Sequence, residues 1–193
     1  MATLLITGFD SFGDHAVNPS WEAVSQLPEQ IGKYRLHRLQ LPTVYGKAAQ
    51  LVLDAAENIH ADAIICVGLA AGRDAITPER IAVNIRDARI PDNAGVVYSG
   101  QKIAEDGPAA YFSTLPVEKM VQAIRDTGIP AAVSNSAGTF VCNDTLYTLL
   151  HRFGETGKGV CFIHVPNLLR ENGSGLPLET IVAGLTAAIS VLE

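Results

Sequence analysis

Apolar and polar positions along the chain change period repeatedly, dividing it into alternating strands and helices. Residues 3–7 (TLLIT), 63–67 (AIICV) and 160–165 (VCFIHV) are almost unbroken apolar runs, bounded by Gly8, by Asp62 and Gly68, and by Pro166. Such runs suit parallel strands covered on both faces. Residues 34–41 (YRLHRLQL) alternate instead, which predicts a half-exposed strand nearer an edge. Residues 80–85 (RIAVNI) are a further candidate strand, and 131–134 (AAVS) a short buried one. Helical stripes lie between them. Ala48, Leu51, Val52, Ala55, Ala56 and Ile59 form one face, and Ile181, Val182, Leu185, Ala188, Ile189 and Leu192 another. A weaker stripe over 117–127 carries Val117, Met120, Val121 and Ile124 and is closed by Gly128. Leu146, Leu149, Leu150 and Phe153 predict a helix over 143–153, with Asn143 or Asp144 near its cap. The rhythm predicts an α/β fold: an open, mostly parallel, mixed sheet with helices on both faces, in three layers α/β/α.

Composition narrows this picture. A length of 193 residues, with 48% hydrophobic and 18% charged positions, suits one globular domain over residues 1–193. No internal repeat or linker divides it. Fourteen Lys and Arg against 20 Asp and Glu give a net charge of −6, which argues against nucleic acid or an anionic membrane as partner. Three cysteines without CxxC spacing indicate neither a disulfide framework nor a zinc knuckle. The start of the chain lacks a basic targeting region, and no apolar run approaches the span of a bilayer, so cytoplasm is the expected compartment.

Three segments fit no regular element: 8–19, 68–79 and 87–106. In an open α/β sheet, ligands gather outside the carboxyl ends of the strands, where the first two of these loops would lie. The segment SNSAGTFVCN, residues 134–143, brings Cys142 from a strand to the first turn of a helix. Unpaired backbone N–H groups and the positive end of the helix dipole favour thiolate there, so Cys142 is a candidate nucleophile as well as a candidate small core residue. A cysteine hydrolase also needs a base. His151 would project roughly 13 Å along the same helix by the rise per residue, too far to serve. His164, closing a buried strand beside Pro166 and Asn167, is the histidine placed at the catalytic edge, although a hydrogen-bonded core histidine fits that position too. Glu79 precedes 80–85; were that strand antiparallel to the core, Glu79 would face the cleft, and otherwise it is a surface carboxylate paired with Arg80 or Arg86.

Together these pieces resemble one family. Gly68-Leu69-Ala70-Ala71, followed by Ile76-Thr77-Pro78-Glu79-Arg80-Ile81-Ala82-Val83-Asn84, resembles the glutamate signature of the pyroglutamyl-peptidase I (pyrrolidone-carboxylate peptidase) family. Residues 134–143 resemble its cysteine signature, and Gly8-Phe9-Asp10-Ser11-Phe12-Gly13 with Asn18-Pro19-Ser20 its opening loop. Residues 87–93 (DARIPDN) and Phe162-Ile163-His164-Val165-Pro166 complete the set, in the expected order.

The resemblance implies a cysteine exopeptidase that removes an N-terminal pyroglutamyl (5-oxoproline) residue from peptides through a thioester acyl-enzyme. Cys142 would be nucleophile, His164 general base and acid, and Glu79 the group orienting His164. It also implies no metal or organic cofactor, and a cytoplasmic homotetramer. Phe9, Phe12 and Phe140, with Leu69 and Val141, would form the substrate pocket. Arg89, ten residues after Glu79, is the candidate for a second charge near the oxyanion. Leu69 stands where the family usually carries glutamine, Ser11 replaces a usual proline, and Asp14-His15 a usual Gly-Glu pair. Cys66 and Cys161, inside apolar strands, are expected to be inert core residues. Apolar side chains over 96–112 suit either a subunit contact or an active-site flap. The competing function is a non-catalytic small-molecule or nucleoside-binding protein on the same sheet, with Gly68 and Gly72 in an anion-cradling loop; the phosphate-loop spacing GxxxxGK[ST] is absent.

Overall fold

The computed structural model describes residues 1–13, 17–169 and 174–192. A six-stranded sheet runs in the order β2-β3-β1-β4-β8-β5. Its centre is parallel: β1 (Ala2–Phe9) pairs with β3 (Tyr34–Leu41) and β4 (Ala63–Leu69), and β4 pairs with β8 (Gly159–Val165). Both edges are antiparallel and short, β2 (Gln30–Ile31) beside β3 and β5 (Thr77–Pro78) beside β8. The alternating strand at 34–41 is next to an edge, as its pattern predicts.

Alternation along each strand sends side chains to two separate layers. Leu4, Ile6, Ile65, Val67, Cys161, Ile163 and Val165 meet α1 (Pro19–Gln26), α3 (Val117–Asp126) and α5 (Leu178–Ser190). Leu5, Phe9, Ile64, Cys66, Val160 and Phe162 meet α2 (Lys47–Asn58) and α4 (Val141–Phe153). This is the three-layer α/β/α arrangement. By the same alternation His164 faces the layer that contains α4.

The structure departs from the sequence pattern in four places. Residues 80–85 do not join the main sheet. The antiparallel edge is β5, one step earlier, and β6 (Ile81–Val83) turns away to pair with β7 (Ala110–Phe112). Residues 131–134 form only two isolated bridges, Ile76 with Ala131 and Glu79 with Ser134. Pro78 supplies no N–H, so it can only accept, from Ser134 N at 2.9 Å, and a full ladder cannot form. Helix α1 has no long apolar stripe; it starts from Asn18, which caps Ser20 N, and Pro19 at its first position. Helix α4 begins two residues before the expected Asn143. Phe140 is its cap residue, because Asn143 and Asp144 are used for tertiary contacts instead.

Candidate active site

The carboxyl ends of β1, β4 and β8 meet the start of α4, and the site is built there. Pairing of β4 with β8 sets Gly68 opposite His164. A Cβ on Gly68 would lie 3.0 Å from Cys142 Sγ and 2.8 Å from the Phe162 ring. The absent side chain leaves the gap into which α4 lowers its thiol, against the strand residue that pairs with His164. Among the described residues, no hydrogen bond joins Cys142 Sγ to His164.

Glu79 follows β5 and is held on both sides. Its N–H donates to Phe162 O of β8 at 2.8 Å, and its neighbours bond Ser134: Ser134 N to Pro78 O at 2.9 Å and Arg80 N to Ser134 O at 2.7 Å. Its side chain is fully buried, and Oε1 lies 2.7 Å from His164 Nδ1. The same Oε1 accepts from Arg73 Nη1 at 2.8 Å. Oε2 is buried and, among the described residues, no hydrogen bond within 3.5 Å reaches it. Arg80, the next residue, turns outward to Asn135 and Glu118.

Cys142 is the second residue of α4, where backbone N–H groups have no partner within the helix. The first turn is fixed by buried side chains. Asn143 accepts from Val83 N at 2.9 Å and donates to Val83 O and Ile85 O. Asp144 accepts from Gly46 N at 2.8 Å and from Arg86 Nε at 2.6 Å. These contacts tie the cysteine turn to β6 and to the start of α2, so the thiol is positioned by a polar lattice.

Protonation follows from burial. Burial alone would raise Glu79, but the hydrogen bond from His164, its charge once protonated, and then the Ser134 hydroxyl and Arg73 hold it below the ordinary carboxylate range. Burial pushes His164 down against the opposing pull of Glu79. Burial, and then the charge of Glu79, push the Cys142 thiol up to about 12, against its own backbone N–H and Arg73. The helix-start effect expected from the sequence is therefore outweighed, and both shifts favour the neutral thiol and the neutral imidazole. With Glu79 ionised, Nδ1 must be the donor to Oε1, which leaves the Nε2 lone pair free.

A cavity of about 330 Å³ opens beside the thiol, lined by Phe9, Phe12, Leu69, Phe140 and Cys142 together with Gly13, Asn18, Thr43 and Ala71. Phe12 and Phe140 pack with ring centroids 5.2 Å apart. Phe9 ends β1 and is nearly buried, so it is a core residue whose edge reaches the cavity, rather than a loop residue. The polar side chains on the wall are already engaged. Asn18 donates to Asp10 O and accepts from Ser20, and the Thr43 hydroxyl donates to Asp10 Oδ1 at 2.9 Å.

Cys142, His164, Glu79, Phe9, Phe12, Leu69 and Phe140 are thus brought to one place. Val141 is not on the cavity wall: its side chain is fully buried in the core on the α2/α4 side, because it points from the opposite side of the helix start. Arg89 is exposed and lies outside the cavity lining, in the irregular segment after β6. Asp14 and His15 lie outside the described residues. Cys66 and Cys161 are fully buried. Arg73 was not singled out by the sequence pattern; an arginine in an irregular loop carries no periodic signal, and only its place in the glutamate-bearing segment 68–79 points to it.

Fold and site together define an α/β protein in which a cysteine, a histidine and a glutamate meet at the carboxyl edge of the sheet, the class of arrangement used by cysteine hydrolases. Residues 2–193 match the family model described as pyroglutamyl peptidase, and the chain belongs to that family. It is 46% identical to the pyrrolidone-carboxylate peptidase of Staphylococcus aureus (strain Newman), over 98% of this chain and 93% of that protein. Identity to the Bacillus licheniformis protein of the same name is 49%, with the same coverage. Among solved structures, pyroglutamyl peptidase I of Bacillus amyloliquefaciens superposes with a TM-score of 0.93 at 42% identity, covering 98% of this chain and 96% of that one. The pyrrolidone carboxyl peptidase of Thermococcus litoralis gives 0.92 at 38%, covering 99% and 93%.

Proposed function

We propose that this chain is a cysteine exopeptidase hydrolysing the amide bond after an N-terminal pyroglutamyl residue of peptides, and that it works as one catalytic domain. The observation that carries the reading is the 2.7 Å contact of Glu79 Oε1 with His164 Nδ1, opposite the Gly68 gap that holds Cys142 Sγ against an apolar cavity. Sγ attacks the pyroglutamyl carbonyl carbon while its proton passes to His164 Nε2. Because burial favours the neutral pair, proton transfer accompanies attack. The hydrogen bond between them forms with substrate bound, as catalytic hydrogen bonds often do. The oxyanion is received by the Cys142 N–H in the first turn of α4, a kind of contact worth roughly 2.7–4 kcal/mol of barrier. Collapse breaks the C–N bond, and the leaving amine takes the proton from Nε2. Water, deprotonated by Nε2, then cleaves the thioester, releasing pyroglutamate and the Cys142 thiol.

The wall chemistry supports the substrate class. A lactam is flat and uncharged, and Phe9, Phe12, Phe140 and Leu69 offer apolar faces. The lactam N–H and C=O can be met by main chain, by the lone pairs of Thr43 Oγ1 and by the second amide N–H of Asn18. A main-chain donor placed for the ring carbonyl is left unpaired by proline, at a cost of about 1–3 kcal/mol. An apolar wall beside an ionised carboxylate disfavours a phosphorylated nucleoside. A reducing cytoplasm suits a protein that works through a free thiol, and the homotetramer of the family reading has exposed Ile90, Val96 and Val97 available for contacts. Among the described residues, no helix is long and apolar enough to cross a membrane. Turnover of a pyroglutamyl amide beside its prolyl counterpart tests the proposal: release at least about tenfold faster from the pyroglutamyl amide is expected, and equal rates would overturn it.

A further inference from the structure

We propose that Arg73 is a positioning residue for the Glu79–His164 pair, its guanidinium bracing both the side-chain partner and the main chain of His164. The proposal rests on the peptidase reading above. Arg73 follows the end of β4 in a turn closed by Arg73 N donating to Ala70 O at 3.0 Å. Nη1 donates to Glu79 Oε1 at 2.8 Å and to Thr77 Oγ1 at 2.5 Å, and Nη2 donates to Ser136 O at 2.9 Å. The Thr77 hydroxyl in turn points to His164 O at 3.5 Å. Ser136 belongs to the loop that leads into Phe140 and Cys142. One planar fork therefore spans the carboxylate, the histidine backbone and the cysteine loop, a three-point geometry that lysine cannot reproduce.

Its charge has a second use. Glu79 is fully buried, and an uncompensated carboxylate there would take up a proton. Among the described residues, Arg73 is the one Lys or Arg in ion-pair contact with it. The titratable groups facing the pair are Cys142 from α4, Cys161 from β8 and Arg73 itself, with the neutral hydroxyls of Thr77 and Ser134 beside them; Arg80 is turned away. Glu79 imposes the Nδ1–H tautomer only while it is ionised. Loss of Arg73 removes one of the groups that hold Glu79 low and loosens the carboxylate, so the Nδ1–H tautomer that leaves the Nε2 lone pair for the thiol is less firmly imposed.

The test compares wild type with Arg73→Gln and Arg73→Lys, using ¹⁵N NMR of the His164 ring and the pH profile of kcat/KM on a pyroglutamyl amide. Arg73→Gln is expected to lower kcat about 10- to 100-fold, in the range of other residues that orient a histidine, with KM nearly unchanged. Its acid limb should move to higher pH, because removing the cation raises both Glu79 and His164, and the Nδ1–H signal at pH 7 should weaken. Arg73→Lys should restore the limb but only part of kcat. Wild-type profiles, kcat and ring signals in both variants would overturn the proposal. If Arg73→Gln does not fold, the lysine variant decides, since full wild-type kcat there removes any role for the fork. If wild type lacks pyroglutamyl activity, the peptidase reading fails while the NMR signals still decide the role of Arg73.

Discussion

The layer under α1, α3 and α5 and the layer under α2 and α4 cover the same sheet with different chemistry. In the first, Ile124, Ile181, Leu185 and Ala188 close on Ile65, Ile163 and Val165, and under α3 and α5 position is set by shape, with buried directed bonds at Asn18 and Ser20, at the start of α1. In the second, Asn143, Asp144 and Thr145 are fully buried in the first turn of α4, and His164 is buried in the strand beneath. Burying such groups is costly unless each finds a partner, and here Asn143 and Asp144 are bonded to main chain or to Arg86. Close packing without polar groups yields stability; directed hydrogen bonds yield stability and also fix the orientation of a neighbouring reactive atom. The cavity and Cys142 lie in the second layer.

The largest effect should come from truncating each layer in turn. Asn143→Ala takes the partner from Val83 N–H and from Ile85 O, while Val83 O keeps Ile85 N–H, and is expected to cost about 2–4 kcal/mol; because Cys142 is the adjacent residue, kcat should fall at least about tenfold as well. Leu185→Ala should cost a similar ~2–5 kcal/mol by cavity formation while kcat per folded molecule stays at the wild-type value. Urea unfolding paired with active-site titration checks both. If the two variants lose activity equally, the contrast between the layers is wrong.

A smaller effect is expected at Gly68. The alanine Cβ would meet Phe162 at 2.8 Å and Cys142 Sγ at 3.0 Å. Gly68→Ala should therefore reduce kcat roughly 10- to 100-fold by displacing the thiol, at a stability cost of about 1–3 kcal/mol. Alkylation of Cys142 by iodoacetamide, followed by peptide mapping, should slow in parallel; an unchanged rate would show that the gap does not position the sulfur.

The smallest effect concerns pH. Cys66, Cys142 and Cys161 are each pushed from 9.0 up to about 12, chiefly by burial. The unfolded chain loses these protons from about pH 9 while the folded chain keeps them, so stability is present below pH 9 and lost between 9 and 12. His164 and Glu79 are lowered, so their contribution is present above their ordinary values of 6.5 and 4.5 and lost as pH falls. Melting temperatures should be flat between about pH 7 and 9 and drop as the pH rises above that. A rise above pH 9 would contradict the burial of the thiols.

Much of this was legible in the residues. Unbroken apolar runs located β1, β4 and β8, because a strand covered on both faces has no polar position to mislead. The meeting of Cys142, His164 and Glu79 was visible as candidates, since strand ends and helix starts are marked locally by Gly, Pro and Asn. What was not legible depends on distant partners. Asn143 and Asp144 look like caps, yet β6, Arg86 and Gly46 take their side chains, and the helix starts earlier. The thiolate expected at Cys142 followed from its own helix, whereas the opposing burial and the charge of Glu79 come from β8 and β5. Arg73 lies six residues before Glu79 in a loop, a spacing with no meaning until the chain folds back. Arg89, by contrast, drew attention by its place in the chain and stands exposed.

The central claim is that Cys142, served by a neutral His164 held by Glu79, attacks the pyroglutamyl carbonyl. It is tested most directly by acid-quenching the protein during turnover of a pyroglutamyl amide and locating the acyl group by peptide mass mapping. The expected result is a pyroglutamyl thioester on Cys142, absent from Cys142→Ser, with turnover in that variant reduced at least about a thousandfold. An acyl group on another residue, or full turnover by Cys142→Ser, would contradict it.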